Sequence, residues 1–151
     1  MASLLEINLS YYTIPAAFLV AFLPHAYASI LAGKNYDLAN PRKTLIHIEK
    51  DTSLSKPILR RIQRGEAASA NGLETIGLYA AGVVAANVAG VPKNTLNAMT
   101  LGYVASRVVY NWVYVFAQDN SRVAPLRSLV WFVGVGLLGG LWVKAGNAVN
   151  V

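Results

Sequence analysis

Arg60, Arg64, Asn71 and Glu74 recur along one segment at spacings that bring them together. At about 100° per residue they fall within roughly 80° of one another on a helix. Such a stripe offers two cations, an amide and a carboxylate to a single ligand, while Leu73, Ile76, Tyr79, Val83 and Val84 spread apolar surface over the following turns. The next apolar segment repeats the device with Tyr103, Arg107, Tyr110, Asn111 and Tyr114, within roughly 100° on its own wheel. A cationic centre is thereby flanked by phenol hydroxyls and an amide. Ionisable groups inside membrane-spanning segments mark functional sites by default, and two such faces must pack towards each other or towards a neighbouring subunit, because lipid would leave the charges unpaired. An Arg107–Glu74 ion pair that merely holds two helices together would explain part of the pattern. It would not require Arg64, Asn71, Tyr110 and Tyr114 as well.

The elements that carry these residues follow from composition. Of 151 residues, 55% are apolar and 13% charged, too apolar for an ordinary soluble surface. A hydrocarbon core of about 30 Å needs roughly 20 helical residues, and four stretches qualify: 9–32, 67–90, 96–117 and 126–143. The first lacks a basic leader and exceeds the usual length of a signal-peptide core, so it reads as a retained span. The expectation is an all-α integral membrane protein, a four-transmembrane-helix bundle forming a single domain over 1–151, with one sizeable polar loop at 33–56.

The formal charge of +6 does not indicate nucleic-acid binding, because the cations are not gathered into a soluble patch with interleaved aromatics. They sort by side of the membrane instead. Lys34, Arg42, Lys43, Lys50, Lys56, Arg60, Arg61 and Arg64 lie in or beside the first loop, Arg122 and Arg127 flank the third, and Lys93 and Lys144 face the other way. The positive-inside bias puts loops one and three in the cytosol and both termini outside or in a lumen. The chain has no cysteine, so any thiol chemistry must use a thiol brought by a ligand. His25 and His47 have no metal-ligand spacing; His25 follows Pro24, which can kink the first span. Gly90 suits a helix end and Asn94 or Thr95 the cap of the next, Pro125 suits the start of the last helix, and Gly134, Gly136, Gly139 and Gly140 permit close helix approach.

The chain resembles the membrane-associated proteins in eicosanoid and glutathione metabolism, the MAPEG family, which includes microsomal glutathione transferases, leukotriene C4 synthase and microsomal prostaglandin E synthase. The resemblance rests on Asn71-Gly72-Leu73-Glu74 in the second span, Arg107-Val-Val-Tyr110-Asn-Trp-Val-Tyr114 in the third, and Arg122-Val-Ala-Pro125-Leu-Arg127-Ser128 entering the fourth. It implies a homotrimer in the endoplasmic reticulum membrane, or in the plasma membrane of a bacterium, with glutathione bound between subunits near the cytosolic side and a lipophilic small-molecule substrate arriving from membrane lipid. Carried over by position, it assigns glutathione binding to Asn71, Glu74, Arg107, Tyr110 and Tyr114, and catalysis to Arg122 facing the sulfur with Ser128 as a thiol partner. A guanidinium there would favour the thiolate and stabilise charge developing on the substrate. Where the family usually has an arginine four residues before the asparagine, this chain has Ala67; Arg64, one turn earlier, is the expected substitute. The interval from Tyr114 to Arg122 is also one residue longer than in leukotriene C4 synthase. Three functions follow: a glutathione-dependent transferase or isomerase, a glutathione-independent isomerase or cyclase on the same fold, and a non-enzymatic membrane scaffold.

Overall fold

A computed structural model describes residues 7–49, 54–118 and 120–150. Lys50, counted above among the first loop's cations, lies outside them. The described residues form helices joined by short turns: α1 (Thr13–Ala32), α2 (Thr44–Glu49), α3 (Lys56–Val88), α4 (Lys93–Trp112) and α5 (Ala124–Val149). A 3₁₀ turn, Ser10–Tyr12, leads into α1, and a π-helical turn, Val113–Ala117, continues α4. Two stretches, Ser10–Asn35 and Ala124–Val149, are long and apolar enough to cross a membrane, each with mean hydropathy 1.7. The other two long helices carry the polar stripes, which lower their hydropathy.

The helix boundaries depart from the apolar stretches for local reasons. α3 begins eleven residues before the apolar stretch at 67, because Pro57 sits in its first turn, where the missing N–H is no loss. This basic first part of α3 extends the stripe beyond the apolar segment. Gly90 has φ +77°, and Val91 N–H closes back onto the Ala86 carbonyl at 3.0 Å, so α3 ends in the left-handed turn that glycine permits. α4 then starts at Lys93 behind Pro92, two residues before Thr95, so neither Asn94 nor Thr95 serves as its cap.

α1 and α3 pack through small residues. Ala17, Ala21, Pro24, Ala28 and Ala32 are buried on α1, and a Cβ added to Gly65 or Gly72 of α3 would meet Pro24 O at 2.9 Å or Ala21 Cβ at 2.7 Å. In lipid such close approach replaces the hydrophobic effect as the source of helix association. Of the α5 glycines, Gly134 and Gly140 abut α4 side chains, whereas Gly136 and Gly139 face open space. Tyr103 of α4 stacks on Tyr79 of α3 with ring centroids 3.9 Å apart, and Tyr79 hydrogen-bonds Thr13 of α1 at 2.6 Å. Outward-facing Phe18, Leu19, Phe22 and Leu23 of α1, with Leu129, Phe132 and Val133 of α5, give the molecule an apolar exterior.

Pro24 lies inside α1 and has no N–H for the Val20 carbonyl. Asn111 of α4 supplies the missing donor, its Nδ2 lying 2.7 Å from Val20 O. This side chain therefore turns away from the tyrosines with which the wheel groups it. Asn111→Ala should cost about 1–3 kcal/mol by orphaning that carbonyl. The same change should cost close to nothing in a Pro24→Ala background, where the substituted residue restores the helical N–H. Unfolding measurements on the four proteins check this; equal costs in both backgrounds would refute the pairing.

Candidate functional site

The start of α5 sets the geometry. Pro125 occupies its first turn, which puts Arg127, Trp131 and Gly134 at i, i+4 and i+7 on one face, directed at α4. Opposite stand Tyr110 and, one turn later, Tyr114 within the π-helical turn. α3 closes the third side with Ala67 and Asn71. Together Ala67, Asn71, Tyr110, Tyr114, Arg127, Ser128, Trp131 and Phe132 line a pocket of about 370 Å³. A second hollow of about 390 Å³ adjoins it, sharing Ala67 and Tyr114 and adding Arg60, Gln63, Arg64 and Gln118. Arg60, Arg64 and Asn71 of the α3 stripe thus lie along one continuous groove.

Inside the groove, the Arg127 guanidinium lies 4.6 Å from the Tyr114 ring centroid and donates to Gln118 Oε1 at 3.3 Å. Tyr110 and Tyr114 meet edge to face with centroids 5.7 Å apart. The side-chain oxygen of Asn71 is buried without a hydrogen-bond partner among the described residues. Buried acceptors are nearly always satisfied, so this one points to a ligand that donates.

Arg107 stands behind the pocket wall. It is 4% exposed, with its guanidinium 5.5 Å from the Tyr103 ring centroid and 5.1 Å from that of Tyr110. Its Nη2 donates to the Trp131 carbonyl at 3.3 Å, while its Nε is buried without a partner among the described residues. Only a glycine at 134 leaves room for it, since a Cβ there would collide with the guanidinium and with Ser106 Oγ. Glu74 is exposed and makes no hydrogen bond or ion pair within the protomer among the described residues. No Arg107–Glu74 ion pair forms within the protomer; acid–base contacts among the described residues bring His25 to Glu66 at 2.9 Å and His47 to Asp37 at 3.9 Å, ion pairs where the histidine is protonated.

Of the residues singled out from sequence, the structure gathers Arg64, Asn71, Tyr110, Tyr114 and Ser128 along the groove. It leaves Arg107 behind the wall and Glu74 exposed on α3, outside the lining of either hollow. Arg122 is exposed in the Ser121–Val123 turn, outside the lining, with its backbone N–H bonded to Asn120 Oδ1 at 3.0 Å. The guanidinium that does enter the pocket is that of Arg127, which the sequence presented as one more cation beside the third loop. Its i, i+4 relation to Trp131 was the available signal. Gln63 and Gln118 carried none, because isolated glutamines near helix ends are common.

The sequence pattern of the MAPEG family matches residues 9–147, and the chain belongs to that family. Searches of curated proteins and of solved structures each gave no match. Membership and the two apolar helices make this a membrane-associated protein.

Proposed function

We infer that the protein is a membrane-embedded, glutathione-dependent transferase or isomerase acting on a lipophilic electrophile, built as a four-helix bundle whose four long helices span the membrane. The observation that carries this reading is the Asn71 Oδ1, buried without a hydrogen-bond partner among the described residues, in a pocket that also holds Arg127, Tyr110, Tyr114 and Ser128. The donor set fits the tripeptide: an acceptor for its N–H groups at Asn71, cations for its carboxylates at Arg60 and Arg64, and phenol hydroxyls between. Bound glutathione would supply the nucleophilic thiol that this cysteine-free chain lacks.

In this reading Arg127 takes the role expected of Arg122. Its guanidinium favours a thiolate beside it and stabilises negative charge developing on the acceptor. Ser128 donates a hydrogen bond on the same turn, and Arg107 adds positive potential through the Tyr110 wall. Trp131 and Phe132 exclude water and present an apolar face to the substrate. Asn71→Ala should weaken glutathione binding by about 1–3 kcal/mol, read by calorimetry. No binding heat from the unsubstituted protein at millimolar glutathione would sink the reading. A glutathione-independent isomerase would then take its place, favoured by Ala67, which lines both hollows without offering a charge.

Exposed Glu74 supports assembly as a homotrimer, because a carboxylate on a spanning helix needs a partner that the described residues of the protomer do not offer. Native mass spectrometry in mild detergent should show trimers, and exclusive monomers would count against assembly. Cytosolic loops and residence in the endoplasmic reticulum, or in a bacterial plasma membrane, belong to the same proposal.

A further inference from the structure

On the opposite side of α4, about half a turn from Tyr110, a hollow of about 320 Å³ runs between α1 and α4. Val20, Leu23 and Tyr27 form one wall, and Val108, Trp112 and Phe116 the other. The amide among its lining residues, Asn111, is turned to the Val20 carbonyl. An occupant must therefore be apolar over this length. Trp112 is 61% exposed, so the groove opens sideways to the surroundings of the helices.

The dimensions and the charge select the occupant. Val108 to Phe116 is eight residue steps, about 12 Å at the helical rise, close to half of a hydrocarbon core of about 30 Å. The groove thus spans roughly one leaflet, the one on the side of the basic first loop. At that end the aromatic residues gather: the Tyr27 and Phe116 rings lie 5.3 Å apart, and the Arg61 guanidinium stands 5.7 Å from the Phe116 ring centroid. Aromatic side chains favour the headgroup level, and a basic residue between spanning helices on the cytosolic side suits an anionic headgroup. A guanidinium has five N–H donors in a fork that matches phosphate, and it can serve a phosphate alongside another neighbour.

We propose that this groove holds one acyl chain of an anionic phospholipid, with the phosphate at Arg61. A substrate chain fits it poorly as occupant, because the groove lies across α4 from Arg127. The site is independent of the glutathione reading and stands or falls separately from it.

Trp112 supplies the reporter. In a Trp131→Phe/Trp142→Phe protein, vesicles containing acyl-brominated phosphatidylglycerol should quench Trp112 at a several-fold lower mole fraction than vesicles containing the brominated phosphatidylcholine. Arg61→Gln should abolish that preference, Arg61→Lys should restore part of it, and Val108→Phe, which fills the groove, should weaken quenching by the anionic lipid. Circular dichroism establishes that each variant is folded. As a second measurement, the unsubstituted protein exchanged into phosphatidylglycerol-containing detergent should retain that lipid through native mass spectrometry, and Arg61→Gln should not. Equal quenching by the two lipids would mean ordinary surrounding lipid and would overturn the proposal. So would a preference that survives Arg61→Gln or Val108→Phe, or a Trp112 shielded from both lipids by a second copy of the chain.

Discussion

Arg127→Ala is expected to lower kcat by about 10²-fold or more while leaving KM for glutathione within a few-fold, the pattern of a contact made chiefly in the transition state. The expectation follows from position. Arg127 is the arginine lining the pocket with Asn71, Tyr110 and Tyr114, and its present partners, the Tyr114 ring and the Gln118 side-chain oxygen, are neutral. Among the described residues, its charge is therefore held in place by neutral groups and not by a carboxylate. Arg122→Ala serves as the matched comparison, since Arg122 has the same charge five residues earlier but is exposed outside the lining. It should change kcat by less than a few-fold. Steady-state kinetics on both variants decide between the two arginines: a large loss at Arg122 with none at Arg127 would return the catalytic role to the turn. Arg127→Lys should recover only part of the rate, because a point charge cannot reproduce a delocalised guanidinium that contacts the Tyr114 ring and the Gln118 oxygen together.

How much of this was legible in the sequence depends on what each residue answers to. Each of the four apolar stretches falls largely within one long helix, because length and periodicity are properties of a single segment, but only two of those helices are long and apolar enough to cross a membrane. The α3 stripe was legible in part for the same reason: Arg60, Arg64, Asn71 and Glu74 share a face through helical spacing alone, and the first three line the groove while Glu74 lies outside the lining. The α4 stripe was legible as a face but not as a site. Its members divide among three neighbours, with Tyr110 and Tyr114 turned to the pocket, Tyr103 stacked on Tyr79 and Asn111 committed to the Val20 carbonyl. Nothing local to α4 distinguishes them. The need that Asn111 meets is created by Pro24, 87 residues earlier, and becomes visible only when α1 and α4 are adjacent. Arg127 was hidden for a related reason. A cation beside a membrane-spanning segment has a ready explanation in topology, and what distinguishes this one is the π-helical turn that carries Tyr114 under its guanidinium.

The association of α1 with α3 gives the largest expected effect on stability. Gly72 faces Ala21 so closely that an added Cβ would stand 2.7 Å from its Cβ and 3.1 Å from its Cα. The second distance matters more, because a backbone atom cannot step aside as a side chain can. Gly72→Leu should therefore force the helices apart and cost about 3 kcal/mol or more, the upper end of the overpacking range, despite leucine's better helix propensity. Gly136→Leu makes the same chemical change on α5, where an added Cβ meets nothing within 4 Å. There only propensity acts, and leucine should stabilise by up to about 1 kcal/mol. The two substitutions are thus predicted to have opposite signs. Thermal melting of both variants in one detergent measures the difference directly: a raised melting temperature for Gly72→Leu would show that α1 and α3 do not depend on this contact. Because Gly72 immediately follows Asn71, the same displacement should weaken glutathione binding, whereas Gly136→Leu should leave it unchanged, so packing and ligand affinity should fail together at Gly72.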